Sequence, residues 1–69
     1  MRISARNKLP GTVVEIVKGA TTAHVRIELA GGGIVTAAIT NEAVDELGLA
    51  VGAPATAVIK ASDVLVAVA

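Results

Sequence analysis

The sequence predicts an all-β domain: a five-stranded antiparallel barrel of the OB type, with one short helix between strands three and four. Three observations lead there. Runs of β-branched residues recur between glycine-bearing breaks. The stretch Ala23–Leu29 alternates apolar and polar without a fault. A single capped helical segment, Glu42–Leu47, stands between two strand-like runs. An SH3-like barrel is the rival, and that helix argues against it. Closure into a barrel also removes the exposed edges of so apolar a sheet.

The elements follow in order. Pro10-Gly11 reads as an edge or bend, because proline donates no N–H and Gly11 tolerates unusual backbone angles. Thr12–Val17 is the first strand, and Lys18–Thr22 is the break after it. In the second strand Val25, Ile27 and Leu29 face one way and His24, Arg26 and Glu28 the other. Gly31-Gly32-Gly33 is a hairpin turn, without the lysine, spacing and helix of a phosphate loop. Ile34–Ile39 returns as a nearly unbroken apolar strand, which suggests cover on both faces. Thr40 or Asn41 caps the helix, Gly48 closes it, and Val44, Leu47 and Ala43 make its inward stripe. Ala55–Lys60 is the fourth strand, Ala61-Ser62-Asp63 a tight corner, and Val64–Val68 the fifth strand.

Size and composition limit the possibilities. A chain of 69 residues reads as one domain, residues 1–69. Such a domain buries only about 60% of its unfolded surface and needs support. There is no cysteine and one histidine, so disulfides, thiolate sites and a His-based structural zinc are out. Hydrophobic residues make up 54% of the chain, yet none is aromatic. That is more apolar surface than one small barrel hides, so association with further copies is expected. Six basic residues balance six acidic ones with no run of either sign. Nucleic-acid binding is therefore not expected, and stacking platforms for single strands are missing too. No apolar stretch approaches the roughly 20 residues of a membrane helix. The start lacks the apolar core of a signal peptide, so a cytoplasmic location is expected. Without a nucleophile–base pair or opposed carboxylates, the chain does not read as an enzyme.

The chemistry is concentrated in two stretches. Ile3–Gly11 packs Ser4, Arg6, Asn7 and Lys8 together, and Ile59–Asp63 repeats the theme with Lys60 and Ser62. Arginine offers five N–H donors and no acceptor, which suits a small, multiply charged oxyanion. If the two stretches meet, they can hold an anion. On the residues alone, Arg6 and Lys60 read equally as surface cations pairing with Glu15 or Asp63, Ser62 and Asp63 as turn residues, and Asn7 as a turn cap. His24 has no assigned role.

The order Ile3-Ser4-Ala5-Arg6-Asn7, then Gly11-Thr12-Val13-Val14, Ala43–Gly48 and Ala57–Val64 resembles the molbindins, the small molybdenum–pterin-binding family with a Mop or TOBE-type domain. The resemblance spans essentially the whole chain. It implies an OB-like barrel assembled as a homohexamer, a trimer of dimers. It also implies molybdate or tungstate held at subunit interfaces as a cytoplasmic store, with no organic cofactor and no direct metal ligand. Carried over, a first site uses Ser4, Arg6, Lys60, Ala61 and Ser62, with Ala61 contributing only its backbone N–H. A second type of site near the symmetry axis falls on Lys18, Gly19, Ala20, Thr21 and Thr22. The other function in view is a molybdate-sensing or oligomerisation module that acts on a partner protein.

Overall fold

A computed structural model describes all residues 1–69. Four strands and one helix follow in order: β1 (Asn7–Lys18), β2 (Thr22–Leu29), β3 (Ile34–Thr40), α1 (Asn41–Glu46) and β4 (Pro54–Ile59). A 3-10 turn follows at Ala61–Asp63. The strands form one antiparallel sheet in the order β3-β2-β1-β4. Curling brings the inner side of β3 and β4 around a common core. No helix is long and apolar enough to cross a membrane.

The expected bend at Pro10-Gly11 is instead the middle of a 12-residue strand. Asn7–Thr12 pair with β4, and Gly11–Lys18 pair with β2. Proline is tolerated because of where its nitrogen points. Its carbonyl accepts from Ala30 N–H at 3.1 Å, on the β2 side. N–H and C=O of one strand residue share a side, and the β1–β2 ladder begins only at Gly11↔Leu29. The missing N–H thus lies past the ladder's end. Gly11 is required by close approach: a Cβ there would lie 2.3 Å from the Glu28 carbonyl oxygen.

The β1–β2 register skips Val14, running Val13↔Ile27 and then Glu15↔Arg26. This bulge re-phases the strand. Val13 is fully buried and Ile16 partly buried, while Glu15 and Val17 face solvent. It also brings Glu15 against Arg26, 3.8 Å apart. On β2 the predicted alternation appears. Val25 and Ile27 are buried, Leu29 is half-buried, and His24, Arg26 and Glu28 are exposed. The glycine hairpin joins β2 to β3, with Leu29 N–H donating to Gly33 O at 2.9 Å.

Thr40, not Asn41, caps α1: its hydroxyl accepts from Ala43 N–H at 3.0 Å. Val44 is buried as expected. Leu47 is not: it stands 68% exposed, because the helix ends at Glu46 and the chain turns away through Gly48 at φ +62°. The apolar run of β3 is also not covered on both faces. Val35, Ala37 and Ile39 are half-buried, and Ile34 is exposed.

The fifth strand is missing from the sheet. Residues 64–69 form no element, and Leu65, Val66 and Val68 are 94%, 90% and 92% exposed. Where a fifth strand would close the barrel there is an open apolar groove of about 650 Å³. It is lined by Val35 and Ile39 from β3, Ala55 and Ile59 from β4, and Leu47 and Leu49 between them. Only 7 of the 69 residues are buried. The surface area, 5112 Å², exceeds the roughly 4,000 Å² expected of a compact monomer of this mass. The excess is the open groove and the exposed tail.

The close contact at Gly11 gives the first prediction. Gly11→Ala forces the β1 and β2 backbones apart and lowers stability by roughly 1–3 kcal/mol. Urea unfolding at fixed protein concentration measures it, and an unchanged midpoint would contradict the crossing described here.

Candidate functional site

The site starts from where the β1–β4 ladder stops. Its last pair is Asn7↔Ile59. Arg6 and Lys60 are the next residues on the two strands, so the antiparallel register delivers them to the same end of the sheet. Ser4 and Ala5 lead into that end, and Ala61 and Ser62 lead away from it. The two chemistry-bearing stretches of the sequence, more than 50 residues apart, therefore do meet. Ala5 is buried and anchors the incoming segment, while Ser4, Arg6, Lys60, Ala61 and Ser62 stay exposed.

Two local contacts shape this end. Asn7 Nδ2 donates to Ile59 O at 3.1 Å, so the carboxamide bridges the strands and is not a turn cap. Asp63 N–H donates to Lys60 O at 2.9 Å and makes the 3-10 turn. The N–H groups of Ser4, Ala5, Arg6, Lys60, Ala61 and Ser62 have no acceptor within the chain. Six backbone donors are thus unspent in the two segments that flank the ladder end, and each segment carries one serine hydroxyl.

The charges are distributed in the same sense. Lys18 pairs with Asp45 at 2.7 Å, and Arg26 lies beside Glu15. The remaining cations, Arg2, Arg6, Lys8 and Lys60, have no ion-pair partner in the chain. Arg6, Lys8 and Lys60 belong to the stretches that meet at this end, where Asp63 is the single acid. The pairing of Arg6 or Lys60 with Glu15 or Asp63 does not occur: Glu15 is turned toward Arg26 by the bulge, and Asp63 forms no salt bridge. A cluster of N–H and O–H donors with unpaired cations can take the oxygens of an anion. No group of three or more His, Cys, Asp or Glu side chains is placed to hold a metal ion.

The second candidate stretch is the turn from β1 to β2. Several of its groups are already committed. Gly19 N–H donates to Thr22 O at 2.8 Å, and Lys18 is held by Asp45. Asn41 fastens the turn to α1: its Nδ2 donates to Gly19 O and its N–H to Thr21 O, both at 2.9 Å. The Oδ1 atom of Asn41 is buried and has no partner in the chain. The N–H groups of Ala20 and Thr21 have no acceptor in the chain. Lys18, Gly19, Ala20, Thr21 and Thr22 are therefore adjacent but only partly available. His24 lies on the outer face of β2, in register with Val17 and Ala38.

Sequence reasoning missed two features here, the bridging role of Asn7 and the anchoring role of Asn41. An asparagine next to a strand end or a helix start was the available signal.

Comparison with known proteins identifies the family. Residues 3–66 match the TOBE domain family. Molybdenum-pterin-binding protein 1 of Clostridium pasteurianum is 52% identical over 66 residues, which cover 96% of this chain and 97% of that protein. The solved structure of MopII from the same organism, in an apo form, superposes with a TM-score of 0.90 at 48% identity over 97% of this chain and all of that one. The cytoplasmic molybdate-binding protein ModG, solved with molybdate bound, gives a TM-score of 0.90 at 55% identity, covering 94% of this chain and 46% of ModG. On sequence, fold and coverage together, the chain belongs to the TOBE domain family, among its small molybdenum-pterin-binding (Mop) members.

Proposed function

We propose that residues 1–69 form one Mop-type unit that binds molybdate, and tungstate of the same shape, at the end of the sheet where Arg6 and Lys60 meet. The observation that carries this reading is the meeting of Arg6 and Lys60, both without an ion-pair partner, at the end of the β1–β4 ladder, together with six unspent backbone N–H groups in the two segments. Molybdate is a tetrahedral dianion that presents only oxygen acceptors. It is bound through donors and positive charge, not through ligands to its metal. Arg6 grips it with its guanidinium, Lys60 adds a point charge, and Ser4 and Ser62 offer hydroxyls. Ala61 offers its N–H. The names of the relatives, which refer to molybdenum-pterin or molybdate binding, support the choice of anion. The role that follows is a cytoplasmic store that buffers the oxyanion, without catalysis.

Assembly belongs to the same proposal. The tail Val64–Ala69 is apolar and exposed, and the groove between β3 and β4 is apolar and open. Each is the shape the other needs. The tail of a second copy, laid as a strand in the groove, completes the barrel and supplies both sheet edges with partners. Further pairing of such dimers gives the hexamer, a trimer of dimers, with the sites at subunit interfaces. A second type of site near the symmetry axis would draw on Lys18, Gly19, Ala20, Thr21 and Thr22. Lys18 must leave Asp45 to join it.

Native mass spectrometry with added molybdate, against a sulfate control, tests the reading. A hexamer that gains several molybdates and few sulfates is expected; one that gains neither sinks it. Arg6→Ala and Lys60→Ala are each expected to weaken molybdate binding at least tenfold by calorimetry, since each removes a charge-assisted donor. Removing residues 64–69 is expected to break the assembly down to monomers in sedimentation, and a truncated chain that still forms hexamers rules out the tail exchange.

A further inference from the structure

We infer that Asn7 is a positioning residue for the oxyanion site, acting through the peptide group between Ile59 and Lys60; this rests on the reading of the site given above. Beyond the backbone ladder, its side chain makes the one side-chain hydrogen bond between the two site-bearing stretches, Nδ2 to Ile59 O at 3.1 Å. Ile59 is the last residue of β4, where the backbone ladder to β1 ends. The Asn7 N–H closes the ladder on that carbonyl, and the carboxamide is a second donor to the same oxygen.

The consequence follows from peptide geometry. The Ile59–Lys60 bond is planar and trans, so its C=O and N–H point in opposite directions. Holding the carbonyl toward Asn7 aims the Lys60 N–H the other way, where it has no acceptor in the chain. The next peptide is held too, because Lys60 O accepts from Asp63 N–H at 2.9 Å. Lys60 is therefore clamped on both sides, and its Cα, side chain and N–H are set relative to β1. Asn7 is also the residue that immediately follows Arg6. One residue thus fixes the spacing between the two cations that grip the anion. Half-burial of Asn7 shields the bond from water, which makes it an effective strut. A small tetrahedral anion demands such a strut, because sub-ångström misplacement of donors forfeits charge-assisted bonds.

The test compares affinity with stability in the assembled protein. Molybdate dissociation constants and urea midpoints are measured for the wild type, Asn7→Val, Asn7→Ala and Leu9→Ala. Valine keeps strand preference and bulk but donates nothing. Leu9→Ala trims a half-buried core neighbour on the same strand and serves as the stability control. Asn7→Val and Asn7→Ala are expected to weaken molybdate binding about five- to tenfold with the hexamer retained, and Leu9→Ala to lower the midpoint with affinity within twofold of wild type. Wild-type affinity in either Asn7 variant overturns the inference, as does an affinity loss in Leu9→Ala that tracks its midpoint. Failure of both Asn7 variants to assemble assigns the contact to folding and overturns it too. A wild-type protein that binds no molybdate overturns the functional reading itself, before any variant is compared.

Discussion

Everything in this fold depends on β1 being shared. One strand of 12 residues pairs with β4 through its first half and with β2 through its second. The two ladders overlap only at Gly11 and Thr12. There the backbones crowd so closely that a side chain at Gly11 has no room. Crossing from one partner to the other at a single glycine, with the bulge at Val14 just beyond, is what curls the sheet. The curl turns Val13, Val25 and Ala57 toward one another as the core. It also leaves β3 and β4 as two unpaired edges facing a common groove. The ladder end that brings Arg6 to Lys60 and the groove that awaits a strand are two results of the same crossing.

The sequence made the locally determined parts legible. The Ala23–Leu29 alternation, the triple-glycine hairpin and the Thr40-capped helix each rest on residues within a few positions of one another. The parts that were not legible rest on partners elsewhere. Pro10-Gly11 looks like a break when read alone. Its fit within a strand depends on where β2 ends, at Leu29. Glu15 and Val17 share a side with Val13 by simple alternation, and only the skipped Val14 reverses that. Leu47 has helical spacing from Val44, but the helix stops one residue short of it. The tail is the clearest instance. Val64–Val68 has the composition of a strand, and composition says only that such a segment needs cover. What provides the cover is not written in the composition of the segment.

The candidate site was legible for a different reason. Serine, arginine, lysine and asparagine in an otherwise apolar chain stand out by type, and their chemistry suits an oxyanion, although the same residues also read as surface cations and turn formers until the family resemblance is weighed. What the structure adds is selectivity among charges. A chain with zero net charge has enough acids to pair every cation. Instead Lys18 and Arg26 take partners, and Arg2, Arg6, Lys8 and Lys60 do not. Glu28, Glu42, Asp45 and Glu46 sit on β2 and around α1, away from the ladder end. Neutrality on average and a positive end in space are compatible, because the fold sorts the charges that the sequence mixes.

That sorting links binding to assembly. Cations held together at exposed positions repel one another only weakly, since water screens them. Repeating the same cluster around a symmetry axis and covering it with a neighbouring subunit removes that screening, and the repulsion grows. A dianion at the shared site reverses the sign, turning the least favourable contact of the empty assembly into one of its more favourable ones. If the anion binds the assembled form, as proposed, its binding energy adds to the energy of association. The exposed cluster on one chain is therefore a poor binding site and a poor interface when taken separately. Each becomes adequate through the other, and this coupling would let so small and aromatic-free a core stand at all.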